Sequence, residues 1–177
     1  MHILPKSLFK EIMIHDIFNK PILVFGCGNT LLGDDGFGPA VITHLGDHYS
    51  LPETVFALDV GTSIRNILFD LILSPSKPEK ILIIDAVTHP DRNPGELFEI
   101  SVEDLPENKT NDYSLHQFPS VNLLKELKGI AGIEVNVLAV QAKSIPDEIL
   151  PGLSPEILAS VSNACHWIIK QVEPSHG

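Results

Sequence analysis

From residue 21 onward, short apolar runs alternate with longer amphipathic ones. Pro21–Gly26, Thr54–Asp59, Lys80–Asp85, Glu96–Ser101 and Glu134–Gln141 are strand-length runs rich in Val, Ile, Leu and Phe. Between them, Phe37–Leu45, Ser63–Leu73, Ser120–Leu127 and Ser154–Ile169 carry apolar residues at helical spacing. Strands this apolar are buried on both faces, and their interleaving with helices predicts an α/β fold, a sheet covered on both sides in a three-layer sandwich. Glu96–Ser101 follows the third strand after a loop and not after a helix. It is therefore expected to run antiparallel, giving a mixed, mostly parallel, twisted five-stranded sheet.

The same pattern sets the domain organisation. Residues 21–172 read as a single α/β domain, a size one hydrophobic core can support. Residues 1–20 form an N-terminal extension in which Leu8, Phe9, Ile12, Ile14, Ile17 and Phe18 predict a short amphipathic helix over about residues 6–18. Residues 173–177 read as a frayed tail. Pro75–Pro78 and Pro90–Gly95 are rigid turns within the domain, and residues 102–119 are the longest stretch without periodicity, a length that often marks function.

Charge narrows the partners. The formal net charge is −11, with no cluster of Lys and Arg, which argues against nucleic acid and anionic membrane surfaces. No apolar run approaches the roughly 18 residues of a membrane span. Lys6, Lys10, Glu11 and Asp16 interrupt the N-terminal apolar residues, unlike a secretory signal, and Cys27 and Cys165 make neither a disulfide framework nor a metal-ligand spacing. A cytoplasmic location is expected.

The densest chemistry lies between the first strand and the first helix, in Gly26-Cys27-Gly28-Asn29-Thr30-Leu31-Leu32-Gly33-Asp34-Asp35-Gly36-Phe37-Gly38. A dinucleotide fingerprint would need a third glycine where Leu31 stands, and Asp34 and Asp35 would repel a pyrophosphate. Paired carboxylates at a helix start suit a cation instead. Asp34 is expected to cap that helix while Asp35 faces the site. Asp85 ends the third strand, and in open α/β sheets ligands bind beyond the carboxyl ends of the strands. His116, before the third helix, can reach the same rim, with His89 its competitor.

Two carboxylates and one imidazole form an oxygen and nitrogen donor set that leaves zinc, nickel, manganese and iron open. Three protein ligands also leave open positions, as catalytic sites require. A serine hydrolase motif Gly-x-Ser-x-Gly is absent. Cys27 has aspartates as its nearest charges in sequence, which disfavour a thiolate and leave it the role of a small buried hydrophobe. Asn29 and Gly61-Thr62 are expected to shape the crevice floor structurally.

In these elements the chain resembles the maturation endopeptidases of nickel–iron hydrogenases. The likeness rests on Gly26–Gly36, on Asp59-Val60-Gly61-Thr62, on Asp85-Ala86 with Pro94-Gly95 downstream, and on His116-Gln117. Leu138–Gln141 and Gly152-Leu153-Ser154-Pro155 complete it. The likeness covers about residues 21–172, and the extension Met1–Lys20 departs from the family's usual start. Among its branches, the peptidases serving deazaflavin-coenzyme-reducing hydrogenases look most similar.

The resemblance implies a mixed twisted sheet between helices and a cytoplasmic processing step. In that step the C-terminal peptide of a hydrogenase large-subunit precursor is removed after nickel insertion. It implies Asp35, Asp85 and His116 as catalytic and nickel-contacting residues, the nickel being carried by the precursor. Two other readings stay open: a nickel-dependent chaperone that binds the precursor without cutting it, and a hydrolase with a resident metal acting on small substrates.

Overall fold

A computed structural model describes residues 17–103 and 121–173. Five strands form one sheet: β1 (Ile22–Cys27), β2 (Val55–Gly61), β3 (Lys80–Val87), β4 (Leu97–Ile100) and β5 (Glu134–Gln141). The helices are α1 (Phe37–His48), α2 (Ile64–Leu73), α3 (Val121–Ala131) and α4 (Pro155–Val172), with a 3-10 turn at Gly33–Gly36 before α1. The spatial order is β2-β1-β3-β5-β4, with β4 antiparallel to β5 and the other pairs parallel. The mixed, mostly parallel sheet expected from the hydrophobic pattern is the one observed.

Alternation along the strands divides the core in two. Leu23 and Phe25 of β1, Ile81 and Ile83 of β3, and Val135 and Val137 of β5 face one side, where Leu68 and Leu71 of α2 and Leu124 and Leu127 of α3 cover them. Val24, Leu82, Ile84, Leu138 and Val140 face the other, under Phe37, Val41 and Leu45 of α1 and Ile157, Ala164 and Ile168 of α4. Each fully buried aliphatic or aromatic side chain contributes about 1.5–3 kcal/mol. The central strands β1 and β3 are therefore the most firmly held, and their ends are the natural place to mount a site.

One edge of the expectation falls mostly outside the described residues, and one differs from it. The helix expected over residues 6–18 lies outside the described residues except for its end, where Ile17 and Phe18 pack against the α2 side of the core. The first helix begins at Phe37 as expected, but Asp34 and Asp35 occupy the preceding 3-10 turn, and neither side chain caps α1. No helix among the described residues is long and apolar enough to cross a membrane.

Candidate active site

The chain leaves β1 for β2 on one side of the sheet and later returns to lay β3 on the other. A parallel sheet opens a crevice at such a reversal, beyond the strand carboxyl ends. Gly26 pairs with Ile84, so Cys27 and Asp85 are the next residues up at the crevice floor, and Cys27 pairs with Gly61 across a register shift.

Backbone close approach builds this floor. A Cβ on Gly38 would lie 2.3 Å from the Cys27 carbonyl oxygen and 2.6 Å from that of Ile84, so only glycine lets α1 start directly on the strand ends. Gly28 has φ +122, and a Cβ there would meet the Asp35 carbonyl oxygen at 1.8 Å. Its N–H donates to the Gly61 carbonyl (3.1 Å), tying the ends of β1 and β2 together. Asn29 serves the turn: its Oδ1 accepts from the Leu31 N–H (3.0 Å).

Asp35 and Asp85 are both buried at this crevice. The Asn29 N–H donates to Asp35 Oδ2 (2.8 Å), and the Ala86 N–H donates to Asp85 Oδ1 (2.8 Å). Each carboxylate is thus held through one oxygen by a nearby backbone N–H. Burial raises the Asp35 carboxyl above its ordinary range against the opposing Asn29 bond. Burial also pushes Asp85 up to about 8, opposed by the Ala86 N–H and reinforced by the charge of Asp35. Two acids that resist ionisation together are stabilised in the charged form by an added cation.

Cys27 belongs to the same cluster. Burial raises its thiol well above the ordinary value, and the charges of Asp85, Asp59 and Asp35 add to the shift. A thiolate is disfavoured there, so Cys27 fills space and does not act as a nucleophile.

Asp34 has a different role from the cap expected of it. Its Oδ2 accepts from the N–H groups of Lys143 (2.9 Å) and Ser144 (3.0 Å) and from Ser154 Oγ (3.0 Å), while Oδ1 accepts from the Ser154 N–H (2.7 Å). Burial alone would raise its carboxyl, but these bonds outweigh burial and hold it below the ordinary range. Asp34 therefore fastens the β5–α4 connection onto the site turn. Local pattern did not reveal this, because the partners lie 109 to 120 residues away in the chain.

His116 lies outside the described residues. His89 is in the β3–β4 connection, its ring edge-on to Phe98 and its Nδ1 accepting from the Asp91 N–H at 3.3 Å. Among the described residues, no group of three or more His, Cys, Asp or Glu side chains is arranged to hold a metal ion. Of the three residues expected at the site, the described residues place Asp35 and Asp85 at the crevice.

A sequence model of hydrogenase maturation proteases matches residues 39–171. The chain is similar to a Methanocaldococcus jannaschii protein named for hydrogenase maturation proteolysis, with 38% identity over 87% of this chain and 97% of that one. It is also similar to coenzyme F420 hydrogenase subunit delta of Methanothermobacter thermautotrophicus, at 31% identity over 88% of this chain and 96% of the relative. In three dimensions it resembles the hydrogenase maturating endopeptidase HybD of Escherichia coli. The TM-score is 0.68 and the identity 29%, over 85% of this chain and 90% of that one.

Proposed function

The chain belongs to the hydrogenase maturation protease family, and from that membership we propose a specific role for its crevice. It is a peptide hydrolase that removes the C-terminal extension of a nickel–iron hydrogenase large-subunit precursor after nickel insertion. Asp35, Asp85 and His116 contact the nickel that the precursor already holds, so the metal arrives with the substrate. The observation that carries this reading is the pair of buried carboxylates just beyond the ends of β1 and β3, each held through one oxygen by a backbone N–H.

The chemistry follows from that pair. A docking divalent ion favours the ionised form of Asp35 and Asp85, so binding releases whatever protons they hold. Nickel held by Asp35, Asp85 and His116 would orient the precursor chain against the crevice, either as a recognition element alone or by also supplying Lewis acidity to the scissile carbonyl or the attacking water. Asp35 is held by the Asn29 N–H and Asp85 by the Ala86 N–H, so neither must be reordered when the metal arrives. The supporting likeness is to relatives and a solved endopeptidase that carry hydrogenase names.

Mass measurement of the nickel-loaded precursor after incubation tests the reading. The precursor is expected to lose its C-terminal peptide. A precursor that binds and keeps its full mass would favour the chaperone reading instead.

A further inference from the structure

The described residues expose six large hydrophobic side chains, and four of them lie on the site turn or on the segments joined to it by backbone hydrogen bonds and a shared groove. Leu31, Ile149, Leu150 and Leu158 are between 48% and 73% exposed, and all four border the site turn or the segment fastened to it. The other two, Phe69 and Leu73, lie on α2 across the sheet. A shallow groove of about 420 Å³ runs alongside, with Thr30, Gly33, Gly36, Gly152, Leu153 and Leu158 in its walls.

The patch is rigidly joined to Asp35. The Leu150 N–H donates to the Leu31 carbonyl (2.9 Å), and the Gly33 N–H donates to the Leu150 carbonyl (2.8 Å). Asp34 pins both ends of the 143–154 segment through its bonds to Lys143, Ser144 and Ser154. Whatever seats on Leu31 and Leu150 is thereby placed in a fixed relation to Asp35, four residues further along the same turn.

The surroundings are acidic. Asp147 and Glu148 are exposed beside Ile149, and Asp47 lines the groove. The only cationic side chain of residues 143–158, Lys143, is paired with Glu156 (2.7 Å). An apolar centre with a carboxylate rim complements an apolar segment flanked by Lys or Arg.

We propose that Leu31, Ile149, Leu150 and Leu158 form the docking surface for an apolar segment of the precursor flanked by basic residues, which sets the substrate-held metal against Asp35. This rests on the endopeptidase reading for the identity of the partner. Leu158 lines the groove together with Thr30, Gly33 and Gly36 of the site turn.

The experiment titrates labelled, nickel-loaded precursor against wild-type protein and three double variants, with a thermal melt of each. Leu150→Ser/Leu158→Ser is expected to weaken binding about tenfold or more, since both side chains lose the contact. Asp147→Lys/Glu148→Lys alters exposed side chains alone; it is expected to weaken binding several-fold at low salt, with the loss shrinking as salt is added. Phe69→Ser/Leu73→Ser is expected to bind as wild type does. Wild-type affinity in both patch variants, or an equal loss in the α2 variant, would overturn the docking surface. A wild-type protein that binds through the patch yet leaves the precursor full length would support the surface and contradict the peptidase reading.

Discussion

Asp34 and Asp35 are consecutive residues of one short turn, both buried, and they meet opposite environments. Asp34 accepts four hydrogen bonds from a distant segment and is held as a carboxylate. Among the described residues Asp35 accepts from Asn29, and burial raises its carboxyl. A buried carboxylate fully provided with donors contributes to the fold, because its charge is already compensated. A buried carboxylate with one donor is costly to ionise until a cation approaches, which suits a site that must wait for its substrate. The pair therefore divides labour: Asp34 builds the wall that carries the apolar patch, and Asp35 is the residue assigned to the proposed docking.

The sharpest break in the comparison is Asp35→Ala. Processing of nickel-loaded precursor is expected to fall on the order of 10³-fold while the melting temperature is kept or raised, because a poorly compensated buried acid is gone. Mass spectrometry and a thermal melt on the same preparation check both halves. Full activity in this variant would remove Asp35 from the site.

Asp34→Ala reverses the pattern. Loss of one acceptor leaves the N–H groups of Lys143, Ser144 and Ser154 without their partner, so a stability loss of about 3–4 kcal/mol is expected in denaturant melts. Because the folded Asp34 carboxyl sits below its ordinary value of 3.8, its stabilisation is present above that value and lost as the pH falls through the folded one. An Asp34→Ala protein as stable as wild type would mean that the four bonds are replaced elsewhere.

Asp85 tests the same logic in the pH direction. Its folded carboxyl is raised to about 8 from an ordinary 3.8, so the folded state holds the more tightly bound proton. That contribution to stability is complete below about pH 4 and is lost as the pH rises toward 8. Asp85→Asn keeps an acceptor for the Ala86 N–H and removes the ionisation. The variant is expected to be more stable than wild type near pH 8, with the gap closing toward pH 4. Parallel stability curves for the two proteins would contradict the raised carboxyl.

The smallest effect is expected from Ser154→Ala. It removes the hydroxyl bond to Asp34 and keeps the backbone one, for a loss of about 0.5–1.5 kcal/mol in the same denaturant melt. A loss as large as that of Asp34→Ala would place the weight of the anchor on the hydroxyl.

The sheet was legible in the sequence because burial on both faces leaves unbroken apolar runs. Lys80 to Val87 and Glu134 to Gln141 need no tertiary context to be read as strands, and even the antiparallel β4 followed from the lack of a helix before it. Asp35 and Asp85 were legible as candidates because each lies just beyond the end of an apolar strand. Asp34 was misjudged as a helix cap because its partners, Lys143, Ser144 and Ser154, come from the far end of the chain, and nothing local announces them. The exposed patch was hidden for a related reason: Leu31, Ile149, Leu150 and Leu158 look like ordinary apolar positions until the fold leaves them uncovered.

The central claim, that the crevice reads a metal carried by another protein, is tested most directly by one paired mass measurement. Wild-type protein is incubated with nickel-loaded and with nickel-free precursor under identical conditions. Cleavage of the loaded precursor alone is the predicted result. Equal cleavage of both would contradict it.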